Sequence, residues 1–233
     1  MGQPRTAQQF LIALLCLIAT SVSGAISLIG GGASVGTNCL IESTTANDVI
    51  LVFAYSSTTT IPSLASGYTD IANAAGTQQA YRVAWKFSSG GETSSGTWAN
   101  ANWVTALIYR GTNTTSPIGA TSTGTAGNSA TLTYTGITCQ DSSGNSWIAA
   151  FGGAKSATAG MNSGTTNLTL RENGGATGQV NALDSNGGVT SLSNQTLTVT
   201  GSGRWFTATV EIKAPAVPLS AARKASFFPF IRP

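Results

Sequence analysis

The chain has 233 residues and no histidine, with 8% charged residues, a formal net charge of +3 and 28 glycines. Soluble domains ordinarily carry about 25% charged residues, so this surface is built from hydroxyls and amides, while regular β-branched and aromatic clusters exclude a disordered main body. The missing histidines exclude a Ser/His/Asp triad and leave a zinc or transition-metal site almost without ligands. Arg82, Lys86, Arg110, Lys155, Arg171 and Arg204 lie singly between apolar stretches, which leaves no basic stripe for a nucleic-acid backbone.

The chain opens with "MGQPRTAQQFLIALLCLIATSVSGAIS". Arg5, the apolar run at residues 10–19, and Ser23 and Ala25 at peptidase spacing read as a cleavable leader. The alternative is an apolar arm that docks on a partner subunit. The run is too short for a stable membrane span, and Leu15 before Cys16 does not suit a lipid-attachment box. Residues 1–29 therefore form an apolar N-terminal segment.

From Asn38 the chain breaks into short apolar or alternating runs: "NCLIES", "DVILVFAY", "GYTDIANA", "AYRVAWKF", "WVTALIYRG", "SATLTYTGI", "SWIAAFGGA", "TNLTLREN", "GQVNALD", "SLSNQTLTVTG" and "RWFTATVEIK". Turn-forming clusters separate them, including "GTNTTSPIGATSTGTAGN", which reads as an exposed loop over residues 112–128. No helical period of useful length occurs. The expected fold is all-β: a single jelly-roll-like antiparallel β-sandwich of about 10–11 strands over residues 30–215. "VILVFA" at residues 49–54 does not alternate, as expected of a strand covered on both faces. "SATLTYTGI" does alternate, setting Ala130, Leu132 and Tyr134 against Thr131, Thr133 and Thr135. Pro215, Pro218, Pro229 and Pro233 make residues 216–233 an extended C-terminal arm. Its Phe227, Phe228, Phe230 and Ile231 are apolar enough to serve as an assembly arm inserted into a neighbouring subunit.

Eight carboxylates are available: Glu42, Asp48, Asp70, Glu92, Asp141, Glu172, Asp184 and Glu211. A glycosidase needs two that converge on a cleft. Asp48, Asp141 and Asp184 instead sit in turns, where a carboxylate caps backbone N–H groups. Glu42 and Glu211 lie near strand ends, with basic residues available as partners. "DSSGN" and "DSNGG" lack the spacing of a calcium loop and read as plain turns. Asn113, Asn167 and Asn194 head N-x-[ST] sequons, which chance explains in so Asn- and Thr-rich a chain. Cys39 and Cys139 form a possible disulfide in an oxidising compartment, or else remain two buried thiols. Trp98 and Trp103 in "GTWANANW" stand beside amides and hydroxyls, a mixture suited to stacking on a sugar. Trp85, Trp147 and Trp205 lie within apolar runs and are assigned to the core. No catalytic residue, metal ligand or cofactor site is expected.

Four stretches carry a resemblance: "DVILVFAYSSTTTIPSLASGYTDIAN", "YRVAWKFSSGGETSSGTWANANWVTALIYRGTNTTSPIG", "SWIAAFGGAKS" and "LDSNGGVTSLSNQTLTVTGSGRWFTATVEI". In this order, over residues 30–213, the chain resembles β-sandwich virion structural proteins of tailed bacteriophages, of the tail-fibre, minor-tail or capsid-decoration type. The resemblance implies a non-enzymatic head or tail surface subunit. Its partners would be itself, as a trimer or larger, and other virion proteins. Two alternatives remain: a secreted or virion-borne adhesin that binds a host surface glycan, and a secreted glycan-cleaving enzyme.

Overall fold

The computed structural model describes residues 25–155, 161–174 and 179–216. The apolar run at residues 10–19 and the arm residues Phe227, Phe228, Phe230 and Ile231 lie outside them. The described residues form twelve strands and no helix, so none is available to cross a membrane. The strands are β1 (Ser27–Val35), β2 (Val49–Ser56), β3 (Thr69–Ala75), β4 (Ala80–Phe87), β5 (Trp103–Arg110), β6 (Ile118–Tyr134), β7 (Ile137–Thr138), β8 (Trp147–Lys155), β9 (Thr169–Asn173), β10 (Val180–Asp184), β11 (Ser191–Leu192) and β12 (Gln195–Ile212). Two five-stranded antiparallel sheets, ordered β1-β5-β2-β4-β3 and β6-β12-β8-β10-β9, pack as the expected β-sandwich, and β7 and β11 form a small ribbon. Each sheet is drawn from one half of the chain.

The period-two rule places the core. Leu51, Phe53 and Tyr55 of β2 face the second sheet, where Phe53 stacks on Phe151 at 5.9 Å. Beside them Tyr81 of β4 meets Phe206 of β12 at 4.6 Å. The alternate residues Ile50, Val52 and Ala54 point outward into a second apolar cluster. The greasy run is thus buried on both faces, as its lack of alternation predicts.

Topology explains the outer cover. Strands β4 and β5 both pair antiparallel with β2, so they run parallel to each other. Residues 88–102 must therefore cross the length of the sheet. They lay Trp98 over the outer face beside Cys39, Ile41 and Tyr68, held by Ser95 N–H to the Cys39 carbonyl (2.9 Å) and Trp98 N–H to the Thr37 carbonyl (2.7 Å).

The second sheet covers its own outer face. The β6–β12 ribbon folds back on itself, with pairing shifts on either side of Gly203 marking the bend. Two hydroxyl bonds join its layers, from Ser122 Oγ to the Thr135 carbonyl and from Thr207 Oγ1 to the Thr133 carbonyl, both 2.7 Å. Leu132, Tyr134, Leu197 and Val199 thereby cover Ile148, Ala150 and Leu183. Glycine is required where the layers touch: a Cβ at Gly124 would lie 2.7 Å from the Thr133 carbonyl oxygen.

Three expectations change. The sandwich begins before residue 30, because Ile26 and Leu28 pack into the central core and residues 27–29 belong to β1. The expected loop at residues 112–128 is strand from Ile118 onward. "NCLIES" contributes a single bridge, Leu40 with Ser94, rather than a strand.

Candidate functional site

The two tryptophans assigned to a sugar platform are not brought together. Trp98 is 0% exposed, its indole N–H donating to the Ser95 carbonyl at 3.0 Å and its ring edge-on to Tyr68. This corrects its reading as a glycan contact: the crossover of residues 88–102 needs a large apolar anchor, and Trp98 is that anchor. Trp103 is half-buried, packs against the central core and tilts over Tyr55 at 6.0 Å. Trp205 is buried, while Trp85 and Trp147 are partly buried against the core, as assigned.

The disulfide is also corrected. Cys39 and Cys139 are free, buried thiols, one in the outer cluster of the first sheet and the other in that of the second. The whole sandwich separates them. Burial pushes both thiols up to about 11, which keeps them unreactive.

Most carboxylates are engaged in holding the fold. The Asp48 carboxylate takes a bidentate pair from Arg110, 2.8 Å on each oxygen, and accepts the Thr45 N–H at 2.7 Å. Asp70 pairs with Arg82 at 2.8 Å and Glu92 with Lys86 at 2.7 Å. Asp141 accepts the Ser143 N–H at 2.9 Å, a plain turn as expected of "DSSGN". Asp184 is buried, bonded by Arg171 Nε (2.8 Å), the Asn186 N–H (2.9 Å) and the Tyr109 hydroxyl (3.2 Å). Burial raises its carboxyl above the usual range against the pull of Arg171. No group of acidic or cysteine residues suited to a metal ion occurs among the described residues.

Glu211 departs from expectation, since no basic residue among the described ones pairs with it. It is fully buried and accepts the backbone N–H groups of Ala120 (2.7 Å), Gln140 (2.7 Å) and Asp141 (3.0 Å) and the Ser146 hydroxyl (2.8 Å). Burial alone would raise its carboxyl, but these four donors outweigh it and hold the group below the usual range.

Glu42 and Glu172 remain. Their side chains rest on successive glycines of β1, Glu42 against Gly30 and Glu172 against Gly31. Successive positions of a strand face opposite ways, so β1 lies between the two carboxylates. They do not open onto one cleft, although burial and then the charge of Glu42 raise the Glu172 carboxyl.

A cavity of about 580 Å³ lies between residues 165–169 and residues 185–193, where the sequence suggested only a turn and a chance sequon. Thr165, Asn167, Ser185, Asn186 and Ser193 supply its hydroxyl and amide rim, and Leu168, Val189 and Leu192 its apolar part. Gln195 ties the two rims together. Its Oε1 accepts from Thr165 Oγ1 (3.1 Å) and the Asn167 N–H (3.2 Å), while its Nε2 donates to the Ser193 carbonyl (3.1 Å). On the other side Arg171 spans from Asp184 to the Asn186 side chain at 2.5 Å. No acid, base or thiol lines the cleft, so its chemistry is hydrogen bonding to a neutral polar surface. The sequence signals nearest to it are the "DSNGG" turn and the sequons at Asn167 and Asn194. No family model matches the chain, and neither a curated protein nor a solved structure matches it.

Proposed function

We propose that the protein is a non-enzymatic structural subunit on the surface of a tailed-bacteriophage particle, self-associating as a trimer or larger. The observation that carries this reading is the use of its carboxylates: five of eight are spent on ion pairs or a backbone nest, Asp141 caps a turn, and a strand divides the other two. A surface of hydroxyls and amides with few charges supports it further, because many copies can pack closely without like-charge repulsion. The placement on a virion rests on the ordered motif resemblance over residues 30–213. Mass spectrometry of purified particles is the test. The chain is expected as a component in fixed ratio to the major structural proteins; its recovery solely as free protein in the medium would contradict the reading.

A second reading is a glycan-binding adhesin. The cleft between residues 165–169 and 185–193 favours it, with fixed hydroxyls and amides above a small apolar floor. In that reading the sugar contacts come from these rims rather than from the buried Trp98.

A further inference from the structure

Seven Lys and Arg residues lie among the described residues, and four of them hold the ion partners Asp70, Glu92, Asp48 and Asp184. Lys155, Arg204 and Lys213 have no such partner among the described residues. Two of these three stand together: Lys155 and Arg204 are paired positions on β8 and β12. Directly opposed residues share a face of the sheet, and like charges there are unfavourable. A chain with so few charges nonetheless sets two cations side by side.

Their surroundings suit an anion. Two residues before Lys155, Gly153 faces Phe53 and Tyr55, and two residues after Arg204, Phe206 lies in the central core. Both cations therefore point to the inner side of the sheet, at the open end of the sandwich. Lys155 Nζ reaches across to the Ser57 carbonyl at 3.0 Å, and the Tyr55 hydroxyl donates to the Arg204 carbonyl at 3.3 Å, which fixes this end. Arg204 Nε is buried without a hydrogen-bond partner. The two side chains line a cavity of about 300 Å³ with Gln78, Asn128, Ser202 and the glycines of the ribbon bend, and no carboxylate lines it.

We propose that this pocket binds a small oxyanion, either a phosphate or the carboxylate of an acidic sugar. The guanidinium and ammonium take the charge, and Gln78, Asn128 and Ser202 serve the neighbouring oxygens. A bound anion would offset the repulsion between the paired cations and give Arg204 Nε its acceptor. This site is separate from the neutral cleft and does not depend on the virion reading.

The test is calorimetric titration of the full chain at low ionic strength with sodium phosphate, sodium glucuronate and, as the uncharged control, glucose. Binding of one or both anions is expected, weakened roughly tenfold or more in Lys155→Gln and in Arg204→Gln by loss of a charge-assisted hydrogen bond. Phosphate alone would identify a phosphoryl ligand, and tighter glucuronate binding an acidic sugar. Arg204→Gln removes a like-charge contact and a buried Nε that has no hydrogen-bond partner, so its melting temperature in chloride should stay level or rise, whereas Lys155→Gln also gives up the bond to the Ser57 carbonyl. Lys155→Arg keeps the charge and must retain binding, which covers the case in which a neutral variant fails to fold. Glucose binding as tightly as glucuronate, affinities equal in wild type and both neutral variants, or no anion binding would each overturn the proposal.

Discussion

Glu211 shows how a single side chain can hold distant parts of the chain together. It sits on β12, yet its acceptor oxygens gather N–H groups from β6 and from the turn after β7, so one carboxylate fixes three segments. Hydrogen bonds to a charged group are worth about 1.5–3 kcal/mol each, and unpaired buried donors are costly. Glu211→Gln should therefore destabilise the fold by roughly 2–3 kcal/mol in chemical denaturation, because the amide removes the charge and turns its own N–H₂ toward other donors. The folded-state carboxyl lies below its ordinary 4.5, so the stability it contributes is present above that pH and is lost as pH falls through the folded value. The wild type should lose stability across this acid window more steeply than Glu211→Gln. Equal slopes would mean that the nest does not discriminate the charged form.

The elements differ in how far the sequence reveals them. Strands β2, β4, β5 and β8 are legible, because β-branched and aromatic runs pack against large partners. Strand β1 and the first part of β6 are not, for the same physical reason. In "GGG" at residues 30–32 and "GATSTGT" at residues 119–125, neighbouring chain lies directly on the strand and leaves no room for a side chain. A run of small residues then reads as a loop, although Thr121, Thr123 and Thr125 still alternate with less exposed neighbours. The pockets were illegible for other reasons. Ser, Thr and Asn are too common in this chain to mark a cleft, and Lys155 meets Arg204 only through the β8–β12 pairing. Two glycines of β6 test the account of the folded ribbon. Gly124→Ala drives a methyl against the Thr133 carbonyl and should cost about 1–3 kcal/mol, whereas a Cβ at Gly127 meets nothing within 4 Å and Gly127→Ala should be neutral or slightly stabilising. Thermal denaturation of both variants measures the difference; equal losses would contradict the layered packing at Gly124.

At the scale of the whole molecule, two sheets with covers on both outer faces make a thick, rigid body. Its inner and outer clusters are apolar, and among the described residues four of the eight carboxylates are held in ion pairs. Such a body suits the proposed role of a building block, because its low surface charge leaves close packing of identical copies unopposed. Under the proposed function, assembly would run through the terminal segments, above all through Phe227, Phe228, Phe230 and Ile231, which lie outside the described residues. Size-exclusion chromatography with light scattering on the full chain, and on the chain lacking residues 216–233, measures this most directly. The account predicts a trimer or larger for the full chain and a folded, smaller species after the deletion. A monomeric full chain, or an assembly unchanged by the deletion, would contradict it.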